Sequence, residues 1–418
     1  MRQIWNAPKS LAQLLPSTLA SLKWETVLSL LSFPASILLN RILGAEDRGL
    51  LALALLIPTT LFALGSCQWD RLLKGMITSK LASPSEIWRH TRYYATWLSL
   101  LSIPTGALTC IFWAKLPTPI AVASALYCGI FPIYFLGGSL SAIFVADGKI
   151  HSQYRMRTAL QGSYLALLVG LWLTQHISVI GIIGVYAVIH IISLAVGWVD
   201  LKREAMHDEH TQAPPSKPLL QGFLPNAIET LSSRIDVLGF SLIATTASLG
   251  HYTAVSAMML PIGLVSNSLS SASTARLDWT NPKHIKQYLA LTISLLACLF
   301  VGSAIFVGFL GPSLLELVLG SSYRDGSWMI PWVALIVASQ ALAVQTHAGL
   351  QLSGFLKEYL LTQSISPFIR CALVIVLGGA FSTPGLLAAI IISNVVKVMI
   401  CLYYYNQRFI PSHAESLT

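Results

Sequence analysis

The amino-acid sequence predicts an all-α, polytopic integral membrane protein with twelve transmembrane helices in two six-helix bundles. Three observations support this fold class: the composition, the number of long apolar segments and an internal repeat. Of the 418 residues, 55% are hydrophobic and 10% are charged, whereas soluble domains carry about 25% charged residues. The composition therefore argues against a soluble fold.

Basic residues outnumber acidic ones, with 26 Lys and Arg against 17 Asp and Glu and a formal net charge of +9. The mean hydropathy of +0.68 requires this charge to be confined to a few loops, and loops that face an anionic leaflet are the usual place. Nucleic-acid binding would need a basic face on a soluble fold, but here Lys and Arg occur in short clusters between apolar runs. We therefore expect membrane lipids as partners and no nucleic acid.

The six cysteines lie within apolar stretches and show no CxxC spacing. They are interpreted as small buried hydrophobic residues, and they predict no metal site. They are Cys67, Cys110, Cys128, Cys298, Cys371 and Cys401.

Twelve apolar segments are long enough to cross the membrane, since a helix rising 1.5 Å per residue needs about 20 residues to span a hydrocarbon core of about 30 Å. With the amino terminus in the cytoplasm, eighteen of the 26 Lys and Arg fall in cytoplasmic segments and four in outer gaps, which predicts that both termini are cytoplasmic. The predicted spans are 20–39, 50–67, 93–113, 120–146, 159–175, 179–199, 222–246, 251–273, 288–310, 329–349, 359–380 and 385–405.

A single long polar linker, residues 202–217, separates six spans from six spans. The predicted division is therefore a bundle at 1–201, a cytoplasmic linker at 202–217 and a second bundle at 218–418. His207 and His210 lie in this linker without a third ligand at a fixed position, so they are interpreted as solvated residues rather than as a metal site.

Matching motifs in the two halves lie at a nearly constant offset. LALALLIP ends at Pro58 and AVSAMMLP at Pro261, while GIIGVYAVIH begins at Gly181 and GLLAAIIISN at Gly385, so the offsets are 203 and 204 residues. Each repeat has an even number of spans, which predicts two like-oriented bundles related by a pseudo-two-fold axis along the membrane normal. This is a plan that transporters use when two bundles rock about a central cavity.

The seventh predicted span contains charges that are costly inside a bilayer. A charge at the bilayer centre costs roughly 2.5–3.5 kcal/mol on insertion scales, so each such side chain must face protein or water. Helical periodicity places Asn226, Glu229, Ser233 and Asp236 on one stripe and directs Arg234 away from Glu229. The stripe predicts a hydrated or partnered face.

Arg370 lies at a similar depth in the eleventh predicted span. A guanidinium group offers forked donors that match a phosphate, so Arg234 and Arg370 are candidate substrate-binding residues, with Lys397 and Asn226 as further candidates. Structural ion pairing explains the arginines equally well, and this alternative stays open. Lys397 can also extend its long side chain towards the cytoplasmic surface.

Acidic and polar residues give further candidates. Glu229, Asp236 and Glu25 are candidates for charge pairing or for binding a coupling ion, either a proton or sodium. His190 and Asn394 occupy matching positions in the repeat, where a helix-packing hydrogen bond and a polar gating role are both open. We expect no cofactor, because no GxxxxGK[ST] motif is present to bind ATP. The short outer gaps leave little room for a catalytic site, so an enzyme is disfavoured.

Several segments resemble the polysaccharide and O-antigen flippases of the multidrug/oligosaccharidyl-lipid/polysaccharide exporter superfamily. The segment NRILGAEDRGLLALALLIP (40–58) resembles the family's Arg, Leu-Gly, acidic, Gly pattern between spans one and two. In the second half RIDVLGF (234–240), LGHYTAVSAMMLPIG (249–263) and GPSLLELVLGSSY (311–323) are similar to family segments. The sequence departs from the family pattern at residue 251, where His replaces Leu in a Gly-Leu-Tyr signature.

This resemblance implies a flippase that moves a polyprenyl-pyrophosphate-linked oligosaccharide across the bacterial plasma membrane for surface polysaccharide synthesis. It implies a hydrated, cationic cavity in which Arg234 and Arg370 hold the pyrophosphate or acidic sugars, and other polysaccharide assembly proteins as further partners. The alternative is a multidrug and toxin extrusion type antiporter, whose organic-cation substrates would favour an acidic, aromatic cavity without arginines. A glycan-modifying membrane enzyme is the least favoured reading.

Overall fold

The computed structural model describes residues 7–66, 84–112, 116–175, 177–203, 217–259, 315–352 and 355–409, with isolated positions 69, 73, 77 and 313. Of these residues 94% are helical, and none of them lies in a strand. The predicted all-α, polytopic membrane fold is confirmed.

Eleven α-helices are described, numbered in chain order across these residues. In the first half of the chain they are α1 (Ala7–Gly65), α2 (Pro84–Ile111), α3 (Thr118–Tyr127), α4 (Phe131–Ala146), α5 (Ile150–Leu173) and α6 (Val179–Arg203). In the second half they are α7 (Lys217–Ile243), α8 (Thr246–Met258), α9 (Met329–Leu352), α10 (Leu356–Leu373) and α11 (Gly379–Phe409).

Helix α1 contains two predicted spans. Its 59 residues would extend about 88 Å, which far exceeds a hydrocarbon core of about 30 Å. The backbone leaves helical geometry at Gly44, where φ is 71° and ψ is 177°. Glycine adopts this positive φ without a β-carbon clash, and the kink therefore divides α1 into the first and second spans.

A comparable break separates the last two spans. Helix α10 continues through a π-helical turn, Val374–Gly378, into the start of α11, which breaks at Ser382 with φ of 52°. Pro384 follows two residues later, as expected for a proline near the start of the next helical segment. The stretch Lys357–Gln407 thus supplies spans eleven and twelve, as predicted at 359–380 and 385–405.

The fourth span consists of two helices joined by a short turn. Helices α3 and α4 are linked by the 3₁₀ turn Cys128–Ile130, and Pro132 lies in the first turn of α4. Together they cover Thr118–Ala146, which agrees with the predicted 120–146.

The helices of spans three and five begin before the predicted spans. Helix α2 begins at Pro84 rather than residue 93, and α5 begins at Ile150 rather than residue 159. Both extensions are polar helical turns, such as IHSQYRMR in α5. Hydropathy marks the membrane-embedded part of a helix and does not detect these turns. Predicted span 288–310 and most of 251–273 lie outside the described residues.

The described helices separate into two compact units. The first unit contains described residues within Pro34–Ser241 and Thr245–Gly250, and the second contains those within Met1–Phe33, Leu242–Ala244 and His251–Thr418. Residues 204–216 of the linker are not among the described residues, and the division into 1–201, 202–217 and 218–418 stays a prediction.

Small buried side chains hold the first unit together. Ser124 on α3 donates a hydrogen bond of 2.5 Å to the Ala54 carbonyl of α1, and its hydroxyl lies 3.1 Å from the Cys110 thiol of α2. Cys110 and Cys128 are buried in this cluster, and Cys401 is buried in the second unit, as predicted. The prediction is wrong for Cys371, which is exposed on the outer face of α10.

Candidate functional site

Buried polar side chains form a continuous stripe on α10. Glu358, Thr362, Ser366 and Arg370 recur every four residues, which places them on one helix face, and all four are buried. The opposite face carries exposed apolar residues such as Phe368. The stripe therefore faces neighbouring helices of the second unit rather than lipid.

Helices α9 and α11 contribute further buried polar residues to this region, which we name the polar core. Buried polar side chains in a membrane bundle are costly unless they are hydrogen-bonded or line a hydrated path, so they mark a candidate functional region. The polar core comprises Gln345, Thr346, His347, Glu358, Thr362, Gln363, Ser366, Arg370, Ser393 and Asn394.

Arg370 is the charged centre of the polar core and is only 8% exposed. Its Nε donates a hydrogen bond of 3.0 Å to the Ser393 hydroxyl, and its Nη2 donates to the Asn394 side-chain oxygen. The Asn394 amide in turn donates to the Ser339 hydroxyl of α9 at 3.1 Å. These bonds fix the guanidinium group between three helices. Neither Ser393 nor Asn394 carries a charge, so neither of them neutralises it.

Aromatic and histidine rings define the end of the polar core near the start of α10. The rings of His347 and Tyr359 stack with centroids 4.2 Å apart, and the His347 Nε2 lies 3.1 Å from the Tyr359 carbonyl oxygen. Tyr405 of α11 donates a hydrogen bond of 3.2 Å to the Thr346 carbonyl. Stacked rings and bonded carbonyls are features of helix packing, and this end is well suited to hold α9, α10 and α11 together.

Arg234 lies near the middle of α7, about 14 Å from its carboxyl end at Ile243. The side chain is partly buried, and among the described residues its Nε has no hydrogen-bond acceptor. The Asp236 carboxylate accepts a hydrogen bond of 2.9 Å from the backbone N–H of Val237. The side chains of Asn226, Glu229 and Ser233 lie outside the described residues, so their predicted stripe stays a prediction.

The remaining sequence candidates occupy different surroundings. Lys397 is partly buried on α11, one turn beyond Asn394. Glu25 is partly buried on α1, and its backbone carbonyl accepts a hydrogen bond from Ser29. His190 on α6 packs edge-on against Tyr134 of α4, with ring centroids 5.3 Å apart.

Of the predicted candidates, the structure brings Arg370 and Asn394 together. Arg234 lies in the first compact unit and Arg370 in the second. The contact between Arg370 and Asn394 was not predicted, because it depends on how α10 packs against α11. Glu358 and Gln363 were also missed, although the four-residue spacing of polar residues in α10 was a signal that could have identified the stripe.

A second charged cluster, also missed, lies at the predicted cytoplasmic ends of α5 and α6. Arg155 forms an ion pair of 2.8 Å with Asp200, whose side chain is 2% exposed. The adjacent Lys202 ammonium lies 5.4 Å from the centre of the Trp198 ring, and Trp198 packs against Trp88 of α2. The pairing gives a buried acidic residue near a helix end one charged donor.

Among the described residues, no group of three His, Cys, Asp or Glu side chains could hold a metal ion.

Comparisons with known proteins show a shared fold. No protein-family model and no curated protein matches the chain. The solved structure of the lipid II flippase MurJ in an inward closed conformation matches with a TM-score of 0.67 and 16% identity, over 92% of this chain and 87% of that one.

Two other matches have the same fold. A MOP superfamily transporter from Pyrococcus furiosus, described as having a binding pocket of reverse polarity, matches with a TM-score of 0.65 and 13% identity, over 92% of each chain. An outward-facing multidrug resistance MATE family transporter matches with a TM-score of 0.64 and 16% identity, over 92% of each chain. The chain therefore has the fold of the MOP superfamily transporters.

Proposed function

We propose that this protein is a flippase that moves a polyprenyl-pyrophosphate-linked oligosaccharide across the bacterial plasma membrane by alternating access. The observation that carries the proposal is Arg370, a buried arginine within a membrane-spanning helix, fixed by the neutral partners Ser393 and Asn394. A fixed positive charge in a low-dielectric region attracts an anion strongly, since water screens it little. A pyrophosphate has the charge and the acceptor geometry to use it.

The surrounding polar core supports transport of a polar head group. Hydroxyl and amide side chains such as Thr362, Gln363 and Ser366 can exchange hydrogen bonds with sugars, and they are spaced along one helix face. A lipid-linked glycan needs this combination, because its polar head group must cross the bilayer while its isoprenoid tail stays in lipid. Arg234 is proposed as a second anion-binding residue on α7, with Lys397 and Asn226 as supporting candidates.

A multidrug and toxin extrusion type antiporter is the alternative function. Glu358 is the feature that favours it, since a buried carboxylate in the polar core attracts organic cations. However, Glu358 lies in the first turn of α10, about 18 Å along the helix from Arg370. An acidic residue in a first turn is stabilised by the helix dipole, which gives it a structural explanation. The similar structures are transporters, and they offer no support for an enzyme.

The decisive experiment tests whether the protein transports a lipid-linked glycan and whether this transport needs the positive charge of Arg370. The gene is deleted, the leaflet in which lipid-linked glycan accumulates is determined, and the strain is complemented with Arg370→Lys and Arg370→Ala. We expect the Arg370→Lys variant to be partly active, because it keeps the positive charge but loses the forked donor geometry of the guanidinium group. The Arg370→Ala variant should be inactive. Arg324→Ala is the matched control, because Arg324 is 72% exposed and lies 4.0 Å from Glu316.

Two outcomes would overturn the proposal. Full glycan export by a well-expressed Arg370→Ala variant would remove the anion-binding role. Drug hypersensitivity of the deletion strain with normal surface glycan would favour the antiporter.

Two further experiments test the coupling ion and the topology. Repeating the assay with collapsed proton or sodium gradients tests the proposed coupling ion. Labelling of cysteines introduced at both termini tests the proposed cytoplasmic location of the termini.

A further inference from the structure

A groove of about 620 Å³ opens between α2 and α4 in the first unit. Residues of α2 from Arg92 to Pro104 form one wall, and Pro132 and Leu136 of α4 form the other. Beyond Pro104, a β-carbon on Gly106 would lie 2.8 Å from the Cys128 sulfur, so α2 packs directly on the turn that precedes α4. Pro104 is the last residue of α2 that lines the groove.

The groove changes in polarity along its length. Arg92, at one end, is exposed, and the next polar residues are Thr96 and Ser99. Both hydroxyls donate to backbone carbonyls of their own helix, that of Thr96 to Arg92 at 3.1 Å and that of Ser99 to Ala95 at 2.5 Å. These bonds satisfy both hydroxyl groups within their own helix, and the other lining residues are Ala95, Leu100, Ile103, Pro104, Pro132 and Leu136. The lining is therefore apolar beyond a single charged end.

Aromatic residues mark the charged end of the groove as the level of the membrane interface. Tyr93 is 59% exposed and Trp97 is 55% exposed, and both follow Arg92 within two turns of α2. Exposed Tyr and Trp side chains are enriched at the head-group level of membranes. Arg89, one turn before Arg92, is also exposed and adds a second positive charge at this level.

The length of the groove matches one leaflet. Twelve residues separate Arg92 from Pro104, which corresponds to about 18 Å along α2. Half of a hydrocarbon core of about 30 Å is similar in depth. A single acyl chain spans this distance, whereas a long polyprenyl chain would extend well beyond Pro104.

We propose that the groove between α2 and α4 binds an anionic glycerophospholipid of the cytoplasmic leaflet, with its phosphate at Arg92 and an acyl chain along the apolar lining. The two arginines favour an anionic over a zwitterionic head group, and the sequence places both of them on the cytoplasmic side. The lining residues of this site belong to the first unit, whereas Arg370 belongs to the second unit.

The test uses the purified full-length protein in detergent, titrated with phosphatidylglycerol or with phosphatidylcholine of the same acyl chains. Lipid binding is followed by native mass spectrometry and by the melting temperature, since a ligand that binds only the folded state raises it. We expect phosphatidylglycerol to bind more tightly. Arg92→Ala should weaken its binding about fivefold, as expected for the loss of one basic residue at an anionic head group.

Two further variants separate the head-group contact from the apolar groove. Ile103→Trp fills the groove and should abolish binding of both lipids, while Arg157→Ala removes an exposed arginine of α5 and should leave binding unchanged. Equal affinity for the two lipids, or unchanged binding by Arg92→Ala and Ile103→Trp, would overturn the proposal. Displacement of phosphatidylglycerol by a stoichiometric amount of polyprenyl phosphate would also overturn it, because the isoprenoid would then be the occupant.

Discussion

Gly49 and Gly250 make a reciprocal backbone contact between α1 and α8. A β-carbon on Gly49 would lie 1.9 Å from the Thr246 carbonyl oxygen, and a β-carbon on Gly250 would lie 1.7 Å from the Ala45 carbonyl oxygen. Gly49 lies four residues after Ala45, and Gly250 lies four residues after Thr246. Residues 45 and 49 therefore correspond to residues 246 and 250 at a single offset. This offset of 201 is close to the offsets of 203 and 204 between the sequence motifs. The contact is thus a structural trace of the repeat.

Adding a β-carbon to this contact should destabilise the protein. Gly49→Ala and Gly250→Ala each place a methyl group against a backbone carbonyl, and the helices must separate to accommodate it. We expect a loss of about 1–3 kcal/mol in the free energy of unfolding, typical of overpacking. The measurement is the melting temperature of the purified variants.

Gly138→Ala and Gly184→Ala are matched controls for the glycine contact. Both are helical glycines, and a β-carbon at either would meet no heavy atom within 4 Å. They therefore report the gain in helix propensity without a clash. If Gly250→Ala melted at the same temperature as these controls, the close approach of α1 and α8 would be contradicted.

The proposed anion-binding role of Arg370 can be tested by changing its neutral partner Asn394. Asn394→Asp replaces an amide that accepts a hydrogen bond from Arg370 with a carboxylate that neutralises it. We expect the variant to fold, because a buried guanidinium gains a charged acceptor, and to lose at least tenfold in glycan transport, because the anion must now compete with Asp. The assay compares transport and melting temperature in the same preparation.

Asn406→Asp is the control for this charge change. Asn406 is exposed near the end of α11, so the substitution adds the same charge away from the polar core. Transport at the parental rate by Asn394→Asp would show that Arg370 acts only in helix packing.

The ion pair of Arg155 and Asp200 should behave as a coupled unit. Arg155→Ala leaves the buried Asp200 carboxylate without its charged donor, and we expect a loss of about 1–3 kcal/mol in stability. Arg155 is half exposed, so the loss is smaller than for a fully buried pair. The double variant Arg155→Ala/Asp200→Asn should recover most of the loss, and purely additive effects in this cycle would refute the coupling.

Sequence reasoning predicted the features that depend on local composition. The apolar lengths predicted most spans, and Gly44 permits the turn between the first two of them. Arg370 was identified as unusual because a charge within an apolar run is costly wherever the helix packs. The partners Ser393 and Asn394, and the contact of Gly49 with Thr246, depend on which helices meet at which rotation. Sequence periodicity gives a helix face, but it does not give the neighbour of that face.

The matching repeat positions His190 and Asn394 have different surroundings, which predicts different tolerance to substitution. His190 packs edge-on against Tyr134, so His190→Phe preserves an aromatic ring in the same place and removes only the titratable nitrogens. We expect this variant to keep its melting temperature and its transport rate. Asn394→Leu removes an acceptor from a buried guanidinium and should lose both. A proton relay through His190 would instead make His190→Phe stable but inactive, with a lost pH dependence of transport, and that result would reassign the residue from packing to gating.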